Sequence, residues 1–118
     1  MLDFKHIVAW QRAHALAIEV HKTTGQFTRL GHATLRSQLK RSAGSVAANI
    51  VEGCGAATKM EFARFLDVAI KSSTETEYHL IAARDQELLA PDQWGRLNAE
   101  TSGYRSMYRA FARSAGMQ

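Results

Sequence analysis

The sequence predicts an all-α fold, an antiparallel up-down-up-down four-helix bundle. Hydrophobic residues recur at spacings of three and four along most of the chain, which is the periodicity of an amphipathic helix. The chain contains a single proline, and it shows little of the apolar–polar alternation that is typical of strands. The stretches between the periodic segments are short, so consecutive helices are expected to lie antiparallel.

The four helices are predicted at about residues 4–24, 35–52, 59–89 and 92–112. Thr34 is the predicted cap of helix two, and Gly53 is its predicted left-handed terminator. Thr58 and Glu61 have the spacing of a capping box at the start of helix three. Pro91 is suited to the first turn of helix four, where its missing amide has no helical partner. The apolar positions of helix four are Trp94, Leu97, Tyr104, Met107, Tyr108 and Phe111.

The size and composition predict one domain that covers residues 1–118. A chain of 118 residues suits a single core, and a hydrophobic fraction of 46% is ordinary for a globular protein. A single cysteine, Cys54, fits a reducing compartment. No apolar run approaches the roughly 18–20 residues that span a bilayer, and the N-terminus lacks the pattern of a secretory signal. We therefore expect a cytoplasmic protein without a membrane partner.

The charges are segregated along the chain, which has a net charge of +4. Residues 20–51 contain five basic residues and no acidic one, and three arginines spaced by four form a predicted ridge on helix four. One interpretation is a phosphate-binding surface with salt-sensitive affinity. Another is self-association, in which a basic face meets an acidic one, and charge alone favours neither of these two. A third interpretation is that the charged faces are merely solvated. The candidate nucleic-acid-binding residues are Arg36, Lys40, Arg41, Arg105, Arg109 and Arg113.

A polar cluster is predicted inside the bundle. Asn49 and Glu52 flank apolar residues at the end of helix two, and Glu77 falls on the apolar face of helix three. A buried carboxylate is costly unless it is paired, so Arg41 or Arg64 is expected to be the partner of Glu77. The expected role of this cluster is helix register or assembly.

Nothing in the sequence predicts catalysis, a metal or a cofactor. Di-iron bundles use Glu-x-x-His pairs on facing helices, and this sequence contains no such pair. Cys54 follows the end of helix two, where the helix dipole disfavours a thiolate. We expect a protein that is not an enzyme.

Several motifs resemble a known family. They are Trp10-Gln11-x-Ala13, Gln38-Leu39-Lys40-Arg41-Ser42-Ala43, Asn49-Ile50-Val51-Glu52-Gly53-x-Gly55, Glu61-Phe62-x-x-Phe65-Leu66-x-x-Ala69 and Glu75-x-Glu77-x-x-Leu80. In this order they resemble the four-helix bundle proteins encoded in intervening sequences of bacterial 23S rRNA genes. The related accessory variability determinant proteins of diversity-generating retroelements look similar.

The resemblance implies a cytosolic bundle that assembles as a ring-like homopentamer, with no catalytic residues. For the retroelement relatives it also implies a basic surface that binds nucleic acid and a reverse transcriptase. The chain departs from the family pattern at Thr28, where proline is usual, and at Thr34, where glycine is usual. The predicted function is a non-enzymatic oligomeric bundle that binds structured RNA or DNA; the alternative is a protein-interaction scaffold.

Overall fold

The computed structural model describes residues 2–114, which form four α-helices: α1 (Val8–Thr23), α2 (Ala33–Cys54), α3 (Lys59–Asp85) and α4 (Pro91–Ser114). Short 3-10 helices at Phe4–His6 and Gly25–Thr28 precede and follow α1. In α4, the description excludes the side chains of Tyr104, Met107, Tyr108, Phe111, Ala112 and Ser114. Four of the predicted apolar positions of helix four therefore lie outside the described side chains.

The helices form an antiparallel bundle measuring 45 × 20 × 20 Å. Each helix packs against its neighbours in the chain, and α1 also packs against α4, which closes the bundle. The direction of each pair is fixed by cross-helix contacts between Arg36 and His21, Ser42 and Thr76, Arg84 and Trp94, and Arg96 and Glu19. The predicted all-α four-helix fold is confirmed.

The core runs the length of the bundle and extends into the first connection. Its largest fully buried apolar side chains are Phe27, Leu39, Ile50, Leu66, Leu80 and Leu97. Phe27 belongs to the connection between α1 and α2, and its carbonyl accepts a hydrogen bond from the His32 amide at 2.8 Å. Gly31 has φ of 84°, a left-handed conformation that glycine adopts without steric cost. This turn lets the chain reverse while Phe27 remains in the core.

The predicted boundaries of α2 are wrong at both ends. The helix begins at Ala33, so Thr34 lies inside its first turn and His32 occupies the cap position without a side-chain hydrogen bond. Gly53 is not a left-handed terminator, because α2 continues through it to Cys54. A Cβ atom at Gly53 would lie 3.3 Å from Cβ of Phe65. The missing side chain at Gly53 therefore serves close packing of α2 against α3.

The first and third helices are shorter than predicted. Ile7 is extended, with φ of −87° and ψ of 118°, and separates Phe4–His6 from α1. At the other end of the bundle, α3 stops at Asp85 because the chain turns at Glu87, which has a positive φ of 62°. This turn directs Leu88 and Leu89 into the core, where they are 8% and 6% exposed. Residues 86–89, which were predicted as the last turn of helix three, therefore lie outside α3, and two of them are buried leucines.

Two predicted helix starts are confirmed. The Thr58 hydroxyl accepts a hydrogen bond from the Glu61 amide at 3.1 Å, and α3 begins at the next residue, Lys59. Only this half of the predicted capping box forms between the two residues. Pro91 is the first residue of α4, as predicted. Within residues 2–114, no helix is both long and apolar enough to cross a membrane.

Candidate nucleic-acid interface

The basic segment covers the end of α1, the first connection and the first part of α2. We define the basic face as Lys22, Arg29, Arg36 and Lys40. Lys22, Arg29 and Lys40 are exposed, and Arg36 is half-buried. The Arg36 guanidinium reaches across to α1 and donates to the His21 carbonyl at 3.5 Å. Lys40 lies one turn further along the same side of α2. The face therefore spans the α1–α2 pair.

Arg36 carries a further polar atom that the surrounding protein does not satisfy. Its Nε is buried and has no hydrogen-bond partner in the described part of the chain. An unsatisfied buried donor costs free energy, and the exposed Lys40 lies one turn away on the same helix. Arg36 is therefore partly ordered by α1 before any ligand arrives.

Arg41 does not join the basic face. It points towards α3, where a guanidinium nitrogen lies 3.3 Å from Oε2 of Glu75. The same oxygen lies 3.1 Å from Nε2 of the buried His79. Arg41 is 72% exposed, so this ion pair is solvated and contributes little stability. The predicted grouping of Arg36, Lys40 and Arg41 on one side of α2 is wrong for Arg41.

Arg105 is also not part of an exposed ridge. Its guanidinium lies 2.7 Å from Oε2 of Glu77, and the Arg105 side chain is only 19% exposed. The Ser102 hydroxyl donates to the same oxygen at 2.8 Å. The Ser102 hydrogen bond, supported by Arg105 and opposed by burial, lowers the pKa of Glu77 below its ordinary value. Arg105 therefore has a structural partner that joins α4 to α3.

The other two arginines of the predicted ridge, Arg109 and Arg113, are exposed on α4. Among the described residues, α4 packs against α1 and α3 and not against α2. Arg109 and Arg113 thus lie on a helix that, within residues 2–114, does not contact α2, the helix that carries Arg36 and Lys40. The structure does not combine the two groups of candidate residues into one surface.

The predicted polar cluster is wrong. Asn49 donates to the carbonyl and the hydroxyl of Ser45 in its own helix, at 2.8 and 3.0 Å. Glu52 is exposed, and Arg64 is exposed with a guanidinium nitrogen 3.6 Å from the Met60 sulfur. None of them contacts Glu77, because Glu77 faces α4. Neither Arg41 nor Arg64 is the partner of this carboxylate.

A row of hydroxyl side chains between α2 and α3 takes the place of the predicted cluster. The hydroxyls of Ser42 and Thr76 lie 2.9 Å apart, and those of Ser45 and Ser72 also lie 2.9 Å apart. We call these four residues the hydroxyl seam. Small side chains let the two helices approach closely, and each hydroxyl obtains a partner, as buried polar groups require. The sequence signal that could have predicted the hydroxyl seam is the spacing of small polar residues on the inner faces of both helices.

A second polar contact joins α1 to α4. Arg96 pairs with Glu19, and Glu100 lies nearby beside a groove of 490 Å³ that is also lined by Arg12, Ala99 and Gly103. Burial, followed by the charge and hydrogen bonding of Glu19, raises the pKa of Glu100. The Arg96–Glu19 ion pair therefore links α1 to α4.

Cys54 has the environment of an unreactive thiol. It is buried, and burial, together with the charge of Asp3, raises the pKa of its thiol. A raised pKa disfavours the thiolate that nucleophilic chemistry needs. In the described part of the chain, no three His, Cys, Asp or Glu side chains converge as metal ligands would.

Comparison with known proteins identifies a family whose model matches most of the chain. The family model described as "23S rRNA-intervening sequence protein" matches residues 5–110. No curated protein matches the sequence.

Among solved structures, the fold is similar to a protein of unknown function from the S23 ribosomal protein family of Bacteroides thetaiotaomicron VPI-5482. The two share 22% sequence identity with a TM-score of 0.82, over 89% of this chain and 98% of the other. Identity at this level shows a common fold, whereas the family model spans nearly the whole sequence. The chain therefore belongs to the family of 23S rRNA-intervening sequence proteins.

Proposed function

We propose that this protein is a non-enzymatic, oligomeric bundle that binds structured RNA or DNA through the basic face and acts in the cytoplasm. One observation carries the proposal. Lys22, Arg29 and Lys40 are exposed, and no carboxylate within the described residues pairs with them. By contrast, carboxylates of the protein already pair with other cations, namely Arg41, Lys71, Arg84, Arg96 and Arg105.

The physical basis is release of counterions. A cation that neutralises a phosphate frees the counterion condensed there, so the affinity falls steeply as salt rises. Because no acidic residue occurs between positions 20 and 51, nothing on this segment repels a phosphate backbone. Arg109 and Arg113 form a second, separate candidate contact on α4.

A salt series with matched variants tests the proposal. We expect Lys22→Gln/Lys40→Gln to weaken binding of a labelled RNA hairpin, measured by anisotropy between 50 and 200 mM salt. The slope of log affinity against log salt should become shallower by about 1.4–1.8, since each of the two lost phosphate contacts contributes roughly 0.7–0.9. Arg64→Gln/Lys71→Gln is the control, because it removes the same charge from exposed positions on α3.

Two results would contradict nucleic-acid binding by the basic face. One is no measurable binding of RNA hairpin or duplex DNA at 50 mM salt. The other is an equal loss of affinity in both double variants, which would assign the effect to net charge alone.

The proposal includes assembly into a homo-oligomer, with a homopentamer as the expected state. The exposed apolar side chains of α3 support it: Met60, Val68 and Tyr78 are 67%, 43% and 64% exposed, and a partner subunit would cover them. Residues 60–92 also contain seven acidic and three basic residues, complementary in charge to the basic face. Light scattering should give about five times the chain mass of 13.1 kDa. A mass of one chain across micromolar concentrations would reject assembly.

A protein-interaction scaffold is the second candidate, and the same apolar and acidic face of α3 favours it. An oligomer that binds no nucleic acid at low salt would support this candidate over the first. A reverse transcriptase is a partner to test only if the chain belongs to the retroelement branch, by co-purification of the two proteins.

A further inference from the structure

Three aromatic rings are in contact at the start of α1. The Trp10 and His14 rings are stacked in parallel, with an interplanar angle of 7° and centroids 5.2 Å apart. Phe4 contacts Trp10 edge-on, at 73° and 5.0 Å. Phe4 and Trp10 are half-buried and pack against the core, whereas His14 is exposed. The buried members hold the stack in place, and His14 ends it at the surface.

The stack adjoins the basic face. Trp10, His14 and His21 share one side of α1 because they are four and seven residues apart. Arg36 bonds the His21 carbonyl, and α1 and α2 are antiparallel, so Lys40 lies level with a position between His14 and His21. At 1.5 Å per residue, the distance along α1 from His14 to the level of Arg36 is about 10 Å. About three stacked nucleotides, at 3.4 Å each, span the same distance.

Cations beside an exposed aromatic surface are the combination that binds single strands. Every base has a π-face that can stack on an aromatic ring, while a cationic groove follows the phosphates. Bases inside a duplex are already stacked on each other and are not available in this way. The parallel Trp10–His14 arrangement leaves one face of the imidazole as the next position in the stack.

We propose that the protein selects unpaired nucleotides, with a base stacking on His14 while Arg36 and Lys40 contact the neighbouring phosphates. This inference rests on the proposed nucleic-acid binding and adds a preference for single-stranded segments, including the loops of structured RNA. The sequence patterns that predict the bundle do not identify this role, because Trp10 and His14 also fit the apolar face of helix one.

The test compares a 12-nucleotide oligouridine, an oligothymidine of equal length and a blunt 12-base-pair duplex. We expect His14→Ala to weaken binding of the single strands by roughly 5- to 100-fold, the range of a lost base–aromatic stack. Duplex affinity and the salt slope should not change. His14→Tyr should restore single-strand affinity, because it replaces one aromatic ring by another. His6→Ala is the control, since His6 is exposed outside the stack.

The outcomes separate this inference from the proposed function. One outcome is that Lys22→Gln/Lys40→Gln weakens binding while His14→Ala has no effect or affects duplex and single strand equally. That result would reject base stacking on His14 and would still support nucleic-acid binding by the basic face. If His14→Tyr behaves as His14→Ala, the ring is not the contact. If no nucleic acid binds at low salt, both proposals fall.

Discussion

Glu77 joins two helices with one carboxylate oxygen. Ser102 and Arg105 both bond Oε2 of Glu77, at 2.8 and 2.7 Å. The Glu77 side chain is 28% and the Arg105 side chain 19% exposed. Each charge is therefore poorly hydrated and is stabilised by the other. One nitrogen of Arg105 is buried and has no hydrogen-bond partner among the described side chains. A change at Glu77 therefore leaves a cation poorly compensated between α3 and α4.

We predict that Glu77→Gln destabilises the protein by about 1.5–3 kcal/mol at pH 7, the size of a hydrogen bond to a charged group. Because the folded pKa of Glu77 is lowered from 4.5, the carboxylate contributes stability above that value. The contribution is lost as the pH falls through the folded pKa. Urea unfolding at pH 7 and near pH 3 measures the difference, which should shrink in acid.

The matched control at the residue scale is Asp67→Asn. Asp67 pairs with Lys71 one turn away, and both are largely exposed. Such a pair is worth about 0.3–0.5 kcal/mol. Equal losses in Glu77→Gln and Asp67→Asn would show that the Glu77 contact is no stronger than a surface ion pair.

Within α2, two glycines differ in the space that surrounds them. A Cβ atom at Gly44 would have nothing within 4 Å, whereas one at Gly53 would lie 3.3 Å from Cβ of Phe65. Gly44→Ala should therefore raise the free energy of unfolding by about 0.5–1 kcal/mol, through helix propensity. Gly53→Ala should give no such gain, because crowding against α3 offsets it. Thermal melts of both variants check this, and an equal gain would contradict the close approach at Gly53.

The hydroxyl seam predicts coupling between α2 and α3. Thr76→Val leaves the buried Ser42 hydroxyl without its cross-helix partner and should cost about 1 kcal/mol. Adding Ser42→Ala removes both polar groups, so the double variant should lose less than the sum of the single losses. Urea unfolding of the four proteins gives the coupling energy. Additivity within about 0.5 kcal/mol would show that the two hydroxyls act independently.

For the whole molecule, the topology predicts fast folding. Consecutive helices pack as neighbours, and proteins rich in such local contacts fold in microseconds to milliseconds. Assembly of a homo-oligomer adds a slower phase whose rate rises with protein concentration. Stopped-flow refolding, followed by the fluorescence of Trp10 and Trp94, should resolve both phases. Refolding that is independent of concentration would contradict assembly.

The fold was largely predictable because its signals are local. The start of α3 at Thr58 and the start of α4 at Pro91 depend on residues within one turn, and their predictions are confirmed. The end of α2 was not predictable in the same way. Gly53 has the sequence context of a terminator, but α2 continues through it, and a Cβ atom there would lie 3.3 Å from Cβ of Phe65 on α3.

By itself, the sequence determined the number and order of the helices and the run of basic residues that forms the basic face. Apolar periodicity, caps and charge runs are properties of residues that are near one another in the sequence, so they can be recognised without knowledge of the packing. Only the tertiary structure decided which cations remain available and which carboxylate pairs with which arginine. Arg105 was predicted at the surface and lies against Glu77, because its partner depends on the rotation and register of α4 against α3. Spacing along one helix does not specify either quantity.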